Sequence, residues 1–254
     1  MDARDEAAAA AATRAEKALV VIPTYNEAEN VAQIVDAVLA AVPGASLLVV
    51  DDNSPDGTGA IADQLSAGNA RVNVLHRPAK EGLGRAYLDA FRWALPRGYE
   101  YAIEFDADFS HDPKRLPAML DAMSDADVAV GSRYVEGGGT EHWGLARKII
   151  SSGGSLYSRL VLGVPVRDLT SGFVCWSRRA LEEIDLDRVA SAGFAFQIEM
   201  KYRALRKGLR IREVPILFVD RRAGKSKMSR RIFFEALVRV WQLKFRVRRE
   251  QRGG

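Results

Sequence analysis

The stretch Ser46-Leu47-Leu48-Val49-Val50-Asp51-Asp52-Asn53-Ser54-Pro55-Asp56-Gly57-Thr58 decides the fold. Its first half is an unbroken apolar run of strand length, the pattern of a strand buried on both faces. Its second half gathers three acids, a proline and a glycine, which build a tight turn at the strand end. A short helix is expected over Thr58 to Leu65, with Asp56 or Thr58 as its cap.

Working outward, the same unit repeats. Strands are expected over Ala18–Pro23, Arg71–His76, Tyr101–Phe105 and Val128–Gly131, and helices over Glu27–Val42, Gly82–Leu95 and Pro113–Met123. Proline at a first helical position is favourable because its missing N–H has no partner there anyway. Alternating strands and helices predict an α/β fold with a mostly parallel sheet flanked by helices. Right-handed crossovers put the strand C-terminal ends along one edge, where ligands bind. Thr24 to Glu27, Asp51 to Asp56 and Asp106 to Ser110 all fall on that edge. Beyond residue 140 the pattern loosens. Trp143 to Leu162 has helical spacing interrupted by Gly153 and Gly154, Phe194 to Lys207 reads as a helix, Ile211 to Phe218 as a strand, and the remainder from Ser229 as one long helix.

The chain has 254 residues and a formal net charge of +4, too small by itself to argue for nucleic acid. Basic residues crowd the last thirty or so positions, where they suit phosphates or an anionic membrane surface. The single cysteine, Cys175, cannot form an intramolecular disulfide, which fits a reducing, cytoplasmic compartment. The three histidines are scattered and suggest no structural zinc site. No segment reaches the roughly 20 apolar residues that span a bilayer. The expected organisation is a flexible tail over 1–17, a catalytic domain over 18–228 and a basic amphipathic helix over 229–254.

Asp106-Ala107-Asp108 closes an apolar strand with two carboxylates that can face one cation. Such oxygen donors suit Mg2+ or Mn2+, which keep water and substrate phosphates in the rest of their shell. A solvated acidic turn is the plainer reading of a D-x-D alone. In the Asp51–Thr58 turn, Asp52 can accept from a base or ribose. Tyr25, in Pro23-Thr24-Tyr25-Asn26-Glu27, can stack on a base, while Thr24 or Asn26 can cap the next helix. No GxGxxG turn is present, so a dinucleotide-binding fold lacks its main support.

In this order and spacing the three motifs resemble the family 2 glycosyltransferases of the GT-A fold. Within that family the sequence is similar to the polyprenyl-phosphate (dolichol-phosphate) mannose synthases. The closer likeness rests on Ile22–Glu27, Asp51–Thr58, Lys80–Ala86, Asp106–His111, Gly131-Ser132-Arg133-Tyr134, Asp168–Phe173, Phe196–Met200 and Phe218–Met228. It implies GDP-mannose as donor, a polyprenyl or dolichyl monophosphate as acceptor, and a divalent metal. Carried over by motif, Pro23, Tyr25, Glu27, Asp52, Gly82, Asp106, Gln197, Arg221 and Lys227 belong to the nucleotide-sugar, and Asp106 and Asp108 to the metal. Ser110 stands where several relatives place glutamine. Many such proteins add C-terminal membrane helices or rely on a small membrane protein partner.

The residue types suit the reaction. Charge builds on the leaving diphosphate, so Asp108 through its metal, and Arg221 and Lys227 directly, are the expected catalytic groups together with Arg133. An acceptor phosphate is already anionic and needs no strong general base. A single displacement inverts the sugar and yields a β-linked mannosyl phosphate. Arg133 and Arg147 are expected to form a fork on the acceptor phosphate, since guanidinium matches its geometry; surface arginines are the plainer reading. The stretch Asp220 to Met228 is expected to close over the diphosphate. After Ser229, Phe233, Phe234, Leu237, Val238, Trp241 and Phe245 oppose a basic stripe. Either an interfacial helix on the inner membrane face or packing on the domain explains that pattern. The alternatives to mannose transfer are a UDP-glucose:polyprenyl-phosphate glucosyltransferase and a non-catalytic membrane-associated nucleotide-sugar binder.

Overall fold

The protein is described from a computed structural model, which places residues 3–141, 143–191, 193–219 and 230–252. The Ser46–Asp51 run is a buried strand, β2, as its composition requires. On one side it pairs in parallel with β1 (Ala18–Thr24), on the other with β3 (Val72–His76); β1 pairs in turn with β4 (Tyr101–Glu104). Register sets Thr24 beside Asp51 and Asp51 beside His76, so three strands end level at one edge.

Because strand side chains alternate, each apolar run feeds two cores. Val20, Ile22, Leu47 and Val49 face α2 (Val31–Ala41), α3 (Thr58–Gly68) and α5 (Leu116–Ala122). Leu19, Val21, Leu48 and Val50 face α4 (Leu83–Ala94), α7 (Arg178–Ile184) and α8 (Phe194–Arg206). This is the helix–sheet–helix sandwich expected from the alternation.

The far half of the sheet differs from a purely parallel reading. β7 (Val174–Ser177) inserts antiparallel between β4 and β5 (Val128–Ser132), and β8 (Ile211–Pro215) then pairs in parallel with β5. The sheet order is β3-β2-β1-β4-β7-β5-β8. The strand expected over Ile211 to Phe218 is broken after Pro215. Its second part, β9 (Leu217–Val219), pairs with β6 (Gly139–Glu141) in a separate two-stranded sheet. Proline lacks the N–H that a continued ladder would use.

Two further expectations are corrected. The segment taken as a tail is a helix, α1 (Ala3–Glu16), whose Arg14 pairs with Asp121 of α5 at 3.1 Å and whose Ala15 is buried. Gly153 and Gly154 do not interrupt α6 (Leu145–Leu162), which runs through both. The C-terminal helix α9 (Arg230–Arg252) packs on α6 and α8 through Val240, Leu243 and Val247, which meet Val161, Leu162, Ile198 and Tyr202. Arg203 ties it down by bonding both Glu199 and Glu250 at 2.8 Å.

Candidate active site

The loops after β1 and β2 are laced into one wall. Asn26 N–H donates to Ser54 Oγ at 3.1 Å, Glu27 N–H to Thr58 Oγ1 at 3.0 Å, and Ala28 N–H to Asp56 Oδ2 at 3.1 Å. Asp51 accepts from the Ser54 hydroxyl at 2.6 Å. Asp56 and Thr58, expected as helix caps, therefore join two loops. Gly57 precedes α3 at φ 90°, a conformation that costs glycine nothing and a side chain much.

Asp52, the remaining acid, is buried against the guanidinium of Arg77, which also meets Glu81 and Asp89 at 2.8 Å. Burial pushes the Asp52 carboxyl up, and Arg77 opposes it. Lys80 lies 3.6 Å above the Tyr25 ring, a cation on an aromatic face beside the same loop. Glu27 accepts from the Asn30 side chain at 2.8 Å. Pro23 and Glu27 are half-buried on this wall. Gly82 leads into α4 at φ 99°. Two residues on, a Cβ at Gly84 would lie 2.9 Å from the Phe196 ring, so α4 and α8 touch there by necessity.

Asp106 and Asp108 follow β4. Asp108 Oδ1 accepts the Ser110 N–H at 3.0 Å, and Phe109 between them sits at φ 57°. A bulky residue in that region is strained, and such strain gathers at functional turns. His111 Nε2 lies 3.5 Å from Asp106 Oδ2. Its ring is wedged against Phe105, Phe173 and Phe218. Among the described residues, the Ser110 hydroxyl and both His111 nitrogens are buried without a hydrogen-bond partner. Burial, reinforced by the charges of Asp106, Glu104 and Asp108, lifts the Tyr87 hydroxyl well above its ordinary value, keeping a proton beside Asp106. Two carboxylates on one turn, with the Ser110 hydroxyl next in the chain, offer the oxygen donors that a hard divalent cation takes.

On the other side of this turn, Arg133 is not a surface arginine. Its Nε and Nη2 donate to the two oxygens of Asp168 at 2.7 Å, and Nη2 also reaches Thr170 at 2.8 Å. Tyr134, Trp143 and Phe218 surround the guanidinium within 5.7 Å. Burial raises the Asp168 carboxyl, yet the charge and hydrogen bonds of Arg133 outweigh this and hold it below its usual value. The expected open fork is thus already closed on a carboxylate along one edge.

Gln197 is buried, with Nε2 on Glu104 and Oε1 accepting from Lys201 at 3.1 Å, and it lies beside Gly172, next to the Asp106 turn. Glu104 accepts the Trp176 indole N–H at 2.6 Å. Burial drives the Glu104 carboxyl up and the Lys201 ammonium down, while each charge opposes the shift of the other. Sequence reading missed Tyr87, Glu104, His111, Asp168 and Lys201 as roles. Glu104 and Lys201 carried one readable sign, a charge inside an apolar strand and on the inner face of a helix. Arg147 lies in the first turn of α6 with its side chain outside the described residues; Arg221 and Lys227 lie outside them altogether.

A paired-carboxylate turn at the same sheet edge as two laced loops is an arrangement suited to a phosphate-bearing ligand and a cation. The chain matches Glycosyl transferase family 2 over residues 19–185. It belongs to that family. An undecaprenyl-phosphate mannosyltransferase of Micrococcus luteus is 49% identical over 224 residues, covering 88% of this chain and 92% of the relative. A polyprenol monophosphomannose synthase of Mycolicibacterium smegmatis is 48% identical over 238 residues, covering 92% and 90%. Among solved structures, glucosyl-3-phosphoglycerate synthase from Mycobacterium tuberculosis with Mn2+, UDP and glucosyl-3-phosphoglycerate superposes with TM-score 0.65 at 19% identity, covering 96% of this chain and 83% of that one. A mannosyltransferase from Pyrobaculum calidifontis in complex with GDP-Man and Mn2+ gives 0.62 at 17%, covering 91% and 64%. At that identity these two structures establish the GT-A-like fold of this family 2 glycosyltransferase and nothing finer.

Proposed function

We propose that this glycosyltransferase moves mannose from GDP-mannose to a polyprenyl monophosphate, giving a β-linked polyprenyl phosphate mannose. The observation that carries the reading is the near full-length identity, close to one residue in two, with two bacterial proteins named for that chemistry. On this reading the wall formed by Pro23, Tyr25, Glu27 and Asp52 receives the nucleotide, with Arg77 holding Asp52. Asp106 and Asp108 hold Mg2+ or Mn2+, which when bound would neutralise charge on the departing diphosphate. Tyr87 and His111 lie beside Asp106. Arg133, anchored by Asp168, meets the acceptor phosphate on the edge that Asp168 does not take, with Arg147 as its partner. Arg221 and Lys227 remain sequence-based candidates for the diphosphate. The nucleophile is a phosphate oxygen already carrying charge, so no residue has to remove a proton.

The acceptor is a lipid, and the structure offers a face for a membrane. Among the described residues no helix is long and apolar enough to cross one. Leu156 and Leu160 of α6 are 53% and 71% exposed, and Trp241 and Phe245 of α9 are 44% and 59% exposed, on two helices packed together. Exposed Lys148, Arg239, Arg248 and Arg249 lie on the same helices. Aromatic and aliphatic side chains beside cations suit peripheral binding to an anionic leaflet. Val240, Leu243 and Val247 of the last helix pack inward on the domain, while Val238, Trp241 and Phe245 face out and are the residues a membrane would meet on this reading.

The test offers purified protein, Mg2+ and a short polyprenyl phosphate with labelled GDP-mannose or UDP-glucose in parallel. Lipid-soluble label from GDP-mannose alone is the expected result. Label from UDP-glucose alone replaces the donor and keeps the mechanism; label from neither removes the proposal.

A further inference from the structure

Lys201 lies on α8 with no exposure at all, yet it carries an ammonium. Its three protons are matched by acceptors: the Ser171 carbonyl at 2.7 Å, Gln197 Oε1 at 3.1 Å and the Leu169 carbonyl at 3.3 Å. Glu104 and Asp168 supply the opposing charge. Burying such a group is costly, and a methionine of similar volume would fill the space without that cost. A packing role alone therefore does not explain a charge here.

The two carbonyls flank Thr170 in the segment Asp168-Leu169-Thr170-Ser171-Gly172. At its first residue this segment grips Arg133, through both carboxylate oxygens and through the Arg133 backbone N–H at 3.0 Å. At its last residue it passes the carboxylate turn: a Cβ on Gly172 would stand 3.9 Å from Asp106 Oδ2. One end of five residues thus belongs to the arginine and the other to the aspartate, and a single ammonium holds the middle.

We propose that Lys201 is a positioning residue for glycosyl transfer, clamping the Asp168–Gly172 segment so that Arg133 and Asp106 stand at the separation the acceptor phosphate and the donor require. This rests on the function proposed above, with Arg133 on the acceptor side. It makes Gln197 the link between the clamp and Glu104, at the end of β4. Effective reaction depends on reactant placement to within about 1 Å, and a displacement of that size can cost about a hundredfold in rate.

The experiment uses the full-length protein with Lys201→Met. A second variant, Glu104→Gln with Lys201→Met, removes the partner charge too, so that no buried carboxylate is left uncompensated. GDP affinity in the presence of Mn2+ is measured by calorimetry, steady-state parameters are measured for a short polyprenyl phosphate, and amide hydrogen exchange is followed over residues 168–173. The expected result is GDP affinity within about twofold of wild type, acceptor kcat/KM lower by about a hundredfold, and exchange at least about tenfold faster in that segment but not in β1. Unchanged acceptor kcat/KM, GDP affinity falling in step with it, or loss of the fold in both variants would each overturn the proposal. If wild-type protein transfers no mannose, the functional reading fails separately, and unchanged exchange over 168–173 would still sink the clamp.

Discussion

The two halves of this sheet are built by opposite means. From β1 to β4 the strands are largely apolar, with Glu104 at the end of β4 as the buried exception, and most charge lies in the loops at the strand ends, where Asp51 and Asp56 knit the β1 and β2 loops and Asp52 pairs with Arg77. From β5 to α9 charge runs through the interior: Arg133 with Asp168, Lys201 with Glu104, and Glu199 with Arg203 and Arg246. The first half is a scaffold that presents polar loops. In the second the polar groups are themselves the scaffold. Hydrophobic burial tolerates small shifts, whereas buried ion pairs demand fixed partners. The half that carries Arg133 is therefore the one in which single substitutions should carry structural and chemical effects together.

The sharpest way to break this contrast is on the loop side. Asp108→Ala removes a half-buried carboxylate that accepts the Ser110 N–H, so turnover should fall by a thousandfold or more, roughly 4 kcal/mol or greater, with thermal melting nearly unchanged. Chelating the metal from wild-type protein should mimic it. A variant retaining near-normal rates removes the metal assignment.

On the interior side, Arg133→Met should cost both rate and stability, with about 3–5 kcal/mol lost in urea unfolding because Asp168 stays buried without its guanidinium partner. Its pH dependence fixes the sign. In wild-type protein the Asp168 carboxyl sits below its ordinary value, so the pair's stabilisation is present above the unfolded value of about 3.9 and is lost as pH falls through the folded one. In the variant the guanidinium no longer lowers that carboxyl, while burial still raises it against the weaker pull of Lys201 and the backbone N–H, so it should rise and destabilisation should be smaller at pH 5 than at pH 8. A pH-independent loss would contradict the pairing.

A more moderate effect is expected at the outer face. Trp241→Ala with Phe245→Ala should weaken binding to anionic vesicles by about tenfold or more, since each buried aromatic contributes on the order of 1.5–3 kcal/mol, while circular dichroism and turnover of a detergent-soluble acceptor stay as in wild type. Equal vesicle binding would detach this face from the membrane. The smallest effect belongs to Lys80→Ala, which removes the cation above Tyr25 and should raise the GDP-mannose KM by about two- to fivefold, or about 0.5–1 kcal/mol, leaving acceptor KM unchanged.

How much could be read in advance follows the same divide. β2 was legible to the residue because an apolar run bounded by acids has one stable place, and the turn of Asp106 and Asp108 was legible because it directly follows the apolar strand β4. β7 was not, since Val174-Cys175-Trp176-Ser177 reads alike in either direction, and only pairing with Glu104 and Val130 makes it antiparallel. Gln197 fell in a recognisable motif, but its role as a brace came from Glu104, 93 residues away.

The sequence by itself determined the layered α/β architecture, the edge that carries the chemistry and the family's carboxylate turn, because apolar periodicity and turn chemistry act over a few residues. Only the tertiary structure decided that Arg133 is clasped by Asp168, that Lys201 bonds the segment running from Asp168 to the Asp106 turn, and that α9 divides its apolar residues between core and surface. Those outcomes depend on which distant side chains share one desolvated space, and a local pattern carries no record of that.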